Sequence, residues 1–311
     1  MIKINGKNQS LGTRIIKDLR KNKHVYLMAI PCILYFVIYH YWPMYGAVIA
    51  FKEFSPKLGI LGSPWAGFKY FRDFFQSAYF FRTLKNTLVL NFLNLLFGFP
   101  APVIFALLLN ELSSNRFKRT VQTVTYLPHF ISTVIICGML LDFSSKDGLF
   151  NDVIVLFGGK ASTLLLNKHF FRPLYVGSEI WQEVGWGSII YLSALTAIDT
   201  QLYEAAHIDG AGRFKQLIHI TLPGILPTII IMLILRMGKI MNVGFEKVML
   251  LYNPAIYEVA DVISTFVYRK GIEEANYSYS TAVGLFNSVV NFLMLIIANN
   301  ISKKTNENSL W

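Results

Sequence analysis

The sequence predicts an all-α membrane protein that crosses the bilayer six times. Three observations carry this. Of its 311 residues 54% are apolar and 15% charged, whereas a soluble domain is roughly a quarter charged. Several apolar runs approach or exceed the ~20 residues a helix needs to cross the hydrocarbon core. The runs are continuous and aromatic-rich instead of alternating over ~10 residues, which argues against a transmembrane β-barrel.

Taken in order, the chain opens with a basic segment, 1–24, holding Lys3, Lys7, Arg14, Lys17, Arg20, Lys21 and Lys23. The spans follow at 25–51, 86–109, 121–141, 174–198, 223–243 and 281–301. The first run is far longer than the apolar core of a signal peptide and lacks a small-residue cleavage site, so cleavage is not expected. Arg116, Lys118 and Arg119 cluster in a short loop, and Lys303 and Lys304 begin the tail, 302–311. Basic clusters favour the cytoplasmic side. Both termini are therefore expected inside a plasma membrane, and the net charge of +11 reports orientation, not nucleic-acid binding.

On the outer side, 64–85 carries nine aromatics among Lys69, Arg72, Asp73 and Arg82. It reads as one amphipathic helix in the outer interface, or as a docking surface for an external protein. The segments 143–173 and 244–280 read as external loops too small to be domains, the second punctuated by Asn253-Pro254 and Gly271. Cys32 and Cys137 fall in different spans at different depths, so no disulfide is expected. The histidines lack metal-ligand spacing. No phosphate-binding Gly-rich loop is present, so ATP is not expected on this chain. No nucleophile with a supporting base is visible, and the chain is not expected to be an enzyme.

The most informative stretch is the loop 199–223. Asp199 can cap a short helix through Leu202, Ala205 and Ala206. Asp209-Gly210 permits a sharp bend. A second short helix follows with Phe214, Leu217 and Ile218 on one side, and Pro223 starts the next span, where its missing N–H does no harm. The result is a knob joined rigidly to two membrane helices.

Glu204-Ala205-Ala206, three residues, Gly210, nine residues, Ile220, one residue, Leu222-Pro223 resembles the EAA signature of ABC importer permeases. Asp209 and Ala211 belong to the same motif. The resemblance covers nearly the whole chain. Tyr39 to Gly46, Asn110-Glu111-Leu112, Tyr126 to Phe130, Gly185 to Ser188, Tyr257 to Asp261 and the final Ser309-Leu310-Trp311 look like LplB-type permeases of the carbohydrate-uptake branch. The resemblance implies a type I importer fold and a coupling loop that docks in a cleft of an ATPase subunit. It also implies partners: a second related permease, an ATPase dimer carrying ATP and Mg, an extracytoplasmic solute-binding lipoprotein, and an oligosaccharide as cargo. The large external loop and extra N-terminal helices of some maltose-system permeases are missing, so their substrate contacts are not transferred.

Ionisable groups inside spans are costly unless paired or wetted. Arg236 lies about 13 residues beyond Pro223, ~20 Å at the helical rise, and Glu183 sits at similar height in the fourth span. Glu179 and Lys239 match in the same way. Glu183 and Arg236 are expected to pair or to line a wet cavity together; outward snorkelling of Arg236 and Lys239 is the alternative. A sugar path needs aromatic faces and hydroxyl-binding amides or carboxylates. Trp186, Tyr191, Asn242, Phe245, Glu246 and Asn287 are suitable types, although the glycines flanking Trp186 also suit close helix approach. The expected function is thus a permease subunit forming half of an oligosaccharide path. The alternatives are a membrane enzyme acting on lipid-linked glycans and an ion-coupled secondary transporter.

Overall fold

In lipid every backbone N–H and C=O must be satisfied within the chain, and the long apolar runs accordingly wind into helices. The computed structural model describes Asp18 and residues 21–306. Most of the basic N-terminal segment and the closing Ser309-Leu310-Trp311 lie outside the described residues. Among the described residues four helices are long and apolar enough to cross a membrane: α1 Lys23–Phe51, α3 Ala78–Asn110, α9 Arg213–Met237 and α12 Tyr277–Asn306 (apolar through Lys304). Between them lie α2 Lys69–Gln76, α4 Asn115–Phe130, α5 Thr133–Phe143, α6 Leu149–Leu156, α7 Lys168–Thr196, α8 Thr200–Ile208, α10 Phe245–Leu251 and α11 Ile263–Tyr268. No strand forms among the described residues, only an isolated bridge between Lys52 and Trp65.

The six expected spans are thus realised unevenly. The third is broken: α4 and α5 meet at 95°. Pro128 sits in the turn Leu127–Phe130, Ile131 is extended, and the Ser132 hydroxyl accepts the Ile135 N–H to start α5. A proline followed by a fresh N-cap ends one helix and begins another. The fourth, α7, has 29 residues, about 43 Å at the helical rise, but carries Glu179 and Glu183. The fifth stops at Met237, six residues short of the expected end at 243.

Proline also explains three of the four π-helical turns among the described residues, Val37–Tyr41, Asn94–Gly98 and Leu217–Thr221, but not the fourth, Arg269–Glu273. Pro43, Pro100 and Pro223 each lie two residues beyond one of them. A helical proline lacks an N–H and its ring collides with the carbonyl four residues back. That carbonyl belongs to the wider π turn in all three cases, where the ladder is already opened. Consequently α9 starts at Arg213 and runs on through Pro223, which does not begin the span as expected.

Two outer segments also depart from expectation. The aromatic stretch 64–85 is not one surface helix. α2 ends at Gln76, and the Ser77 hydroxyl accepts the Tyr79 N–H to cap α3. Phe74 is fully buried against Phe80, Phe266, Tyr279 and Phe286. The segment 244–280 is no solvated loop either, since Val248, Leu251, Ile256, Ala260, Val262, Ile263 and Phe266 are at most 1% exposed. Most of them join residues of α3, α5 and α7 in one core, while Ile263 and Phe266 pack with Phe74.

Helices in lipid are held by close packing and polar contacts, because lipid tails are as apolar as leucine. A buried polar stripe runs down α3: Thr83, Asn86, Thr87, Asn91 and Asn94. The Asn86 amide donates to the carbonyls of Glu258 and Asp261, and Thr87 accepts the Ile263 N–H. Asp261, wholly buried, accepts from Arg82 at 3.0 Å, Arg269 at 2.7 Å and the Thr265 hydroxyl at 3.0 Å. Arg172 of α7 donates to Asn86. This network ties α3, α7 and α11 at the end opposite the 199–223 loop. Lys168 pairs with Glu258 nearby, and that hydrogen bond and charge hold the Glu258 carboxyl below its usual range. By contrast, Lys23–Phe36 of α1 has no buried residue.

Candidate functional site

The 199–223 loop folds as local chemistry dictates. Asp199 accepts the Gln201 N–H to cap α8. Gly210 takes φ +76°, a left-handed conformation that side chains with a Cβ resist. The Tyr203 hydroxyl meets Thr221 Oγ1 at 2.9 Å, and the Gln216 amide donates to the Ala211 carbonyl at 2.9 Å. These bonds fasten α8 to the start of α9. Glu204, Ala205, Asp209 and Gly210 are exposed, Ala206, Ala211 and Ile220 half-buried, and Leu222 and Pro223 exposed. Leu202, Ile208 and Phe214 also stand out at 53%, 86% and 72% exposure. A cleft of about 370 Å³ separates the knob from Asn110 and Glu111 at the end of α3. The knob is therefore fastened to α9 and continuous with α7 through Ala197–Asp199.

The second feature is a cavity of about 480 Å³ among α3, α7 and α9, within the usual size of small-ligand sites. Glu183, Tyr191 and Arg236 line it, together with Glu179, Lys239 and Asn94. Arg236 and Lys239 thus share one cavity with the two carboxylates, and both side chains are exposed. The expected Glu183–Arg236 ion pair is not formed among the described residues. His129 takes the carboxylate instead, its Nδ1 3.1 Å from both oxygens of Glu183. The broken third span explains this, because the turn at Pro128 swings His129 against α7. The His129 ring also stacks on Trp186 at 4.5 Å with an interplanar angle of 2°. Glu179, one turn from Glu183, is held by Lys247 at 3.2 Å.

Glycines set these distances. A Cβ on Gly185 would sit 2.2 Å from the Thr125 carbonyl oxygen, and one on Gly187 would sit 3.1 Å from Pro102. Both glycines therefore bring helices together. A Cβ on Gly98 would occupy the place of the Asn94 amide oxygen, 2.0 Å away.

The remaining expected path residues lie elsewhere. Asn242 follows the end of α9 and accepts from the amides of Asn287 and Asn291. Phe245 packs against Tyr268 with ring centroids 5.2 Å apart and tilted by 45°, and Glu246 is exposed on α10. None of the four, Asn242, Phe245, Glu246 or Asn287, lines the cavity. Sequence reasoning missed Lys247, which is 3% exposed, because it lies in a segment that read as external. It also missed the Asn/Thr stripe of α3, although polar residues at four-residue spacing in an apolar run are a readable sign of an inward face.

Comparison with known proteins agrees with this architecture. Residues 77–307 match the family described as binding-protein-dependent transport system inner membrane component. The polygalacturonan/rhamnogalacturonan transport system permease protein YteP of Bacillus subtilis (strain 168) is 48% identical, covering 96% of this chain and 93% of YteP. Protein LplB of the same strain is 49% identical over 96% of this chain and 95% of LplB. A crystal structure of a bacterial ABC transporter involved in import of the acidic polysaccharide alginate superimposes with a TM-score of 0.88 and 44% identity, over 94% of this chain and 99% of that one. The same kind of transporter has been seen with an alginate pentasaccharide-bound periplasmic protein, at a TM-score of 0.88 and 43% identity over 96% of this chain and all of that one. With this match spanning most of its length, its helical membrane architecture and its exposed knob, the chain belongs to the family of binding-protein-dependent transport system inner membrane components and is a multi-pass ABC importer permease subunit.

Proposed function

We propose that this permease forms half of an import path for oligosaccharides or polysaccharide fragments, driven by ATPase subunits gripping the 199–223 knob. The observation that carries this reading is the exposure of Ile208, Phe214 and Leu202 on an element bonded internally and continuous with α9. Large apolar side chains held out on a rigid support suit a protein cleft. ATP and Mg belong to the partner ATPase dimer, and the knob and both termini face the cytosol. A second permease completes the path; the unburied surface of α1 supports a membrane neighbour. An extracytoplasmic binding lipoprotein delivers the sugar at the Asp261 face. The saccharide substrates of YteP and of the alginate importer favour saccharide cargo here.

The cavity lies midway along α7, between the knob and the Asp261 network. Movement of the knob displaces α3, α7 and α9 together and opens the cavity to one side or the other, an alternation between two states with different affinities for partners. A glycan-processing enzyme and an ion-coupled carrier are disfavoured by membership in an ABC importer family. The test is co-purification. Ile208→Glu with Phe214→Glu should leave the permease in the membrane but abolish recovery of the ATPase and of uptake. Retention of a full ATPase complement would overturn the coupling role.

A further inference from the structure

The charges around the cavity are unevenly committed. Glu179 and Glu183 stand one helical turn apart on α7, and each is already engaged from outside the cavity wall. Lys247 reaches Glu179 from α10, itself almost wholly buried and lying over the Tyr175 ring at 5.6 Å. His129 reaches Glu183 from the break in the third span. Arg236 and Lys239 line the same cavity, yet neither makes an ion pair or side-chain hydrogen bond among the described residues. Three cations against two carboxylates leave one positive charge in excess even with His129 neutral. Both side chains are exposed where they line the cavity; their position at the C-terminal end of α9 suits cations on dipole grounds, and unpaired ionisable groups held within a membrane helix bundle mark a substrate or ion path.

We propose that the cavity recognises an acidic saccharide, its carboxylates taken by Arg236 and Lys239, because Lys247 and His129 pre-empt the cavity's own carboxylates. This deepens the import reading above and rests on it. Lys247 and His129 are positioning residues. Without Lys247, Glu179 is free to turn on Lys239 or Arg236 and cancel the charge that the substrate needs. Arg236 offers a planar fork matched to a carboxylate, Lys239 a point charge.

The test is uptake of a uronate oligosaccharide, and of its methyl ester, by vesicles holding the complete transporter with its binding protein. Ester formation removes charge without changing the sugar rings. Arg236→Gln and Lys239→Gln should each lower uronate uptake about tenfold or more, the equivalent of one charge-assisted hydrogen bond, while Arg236→Lys retains most of it. Lys247→Met should also lower uptake, and Glu179→Gln added to Lys247→Met should restore it, a rescue that mere packing damage would not show. Wild-type uptake by Arg236→Gln and Lys239→Gln overturns the proposal, as does failure of the double variant to recover. A wild type that couples ATP hydrolysis to uptake of the ester alone overturns the substrate class and leaves import standing. A wild type that moves neither compound sinks the import reading first and this proposal with it.

Discussion

Replacing Asp261 with asparagine keeps the shape of the side chain and removes one negative charge from a site with no solvent exposure. Arg82 and Arg269 donate to the same oxygen at 3.0 and 2.7 Å, so the variant leaves two guanidinium groups facing an amide. Loss of one partner from a buried ion pair costs ~3–5 kcal/mol. The arginine side chains are 31% and 19% exposed, so water recovers part of the loss and the lower end, about 3 kcal/mol, applies. The Nε of Arg82 and Nη1 of Arg269 are already buried without a partner, which leaves little scope for re-pairing. At roughly 2–4 °C per kcal/mol for a chain of this order of size, Asp261→Asn should lower Tm by about 6–12 °C. Fluorescence-monitored melting of the purified complex in detergent reads this directly. A midpoint within about a degree of wild type would show that the network does not hold α3, α7 and α11 together, and the reasoning would fail.

Four further outcomes are expected. Glu258→Gln should leave the midpoint where it was, because the Lys168–Glu258 pair is exposed and screened; melting across the acid range checks this, and since the Glu258 carboxyl is depressed, whatever the pair contributes is present above the ordinary carboxylate range and fades as pH falls through it. Gly185→Ala forces the Thr125 carbonyl away from α7, at a cost of about 1–3 kcal/mol, and should reduce both thermal stability and uptake. Gly210→Val strains a left-handed position by roughly 1–2 kcal/mol and should lower coupled ATP hydrolysis more than it lowers Tm. Pro223→Ala removes the reason for the π turn at Leu217–Thr221 and should perturb the Tyr203–Thr221 contact, read as weaker ATPase recovery without loss of membrane insertion.

The sequence by itself determined what depends on composition and short-range chemistry. Apolar run length fixed the all-helical membrane class, and Asp199 and Gly210 fixed the cap and the bend of the knob, because N-caps and left-handed glycines act over a few residues. Pro128 and Ser132 were equally legible as a break, but a run from Val121 to Leu141 free of Asp, Glu, Lys and Arg outweighed them on hydropathy. Tertiary structure alone decided where the charges went. Depth along a helix brought Glu183 and Arg236 to one cavity, but rotation about the helix axis and the swing of a broken span gave Glu183 to His129. Lys247 and Asp261 looked like loop residues because burial in a membrane protein is set by neighbouring helices, and nothing within ten residues of either one encodes which helices those are.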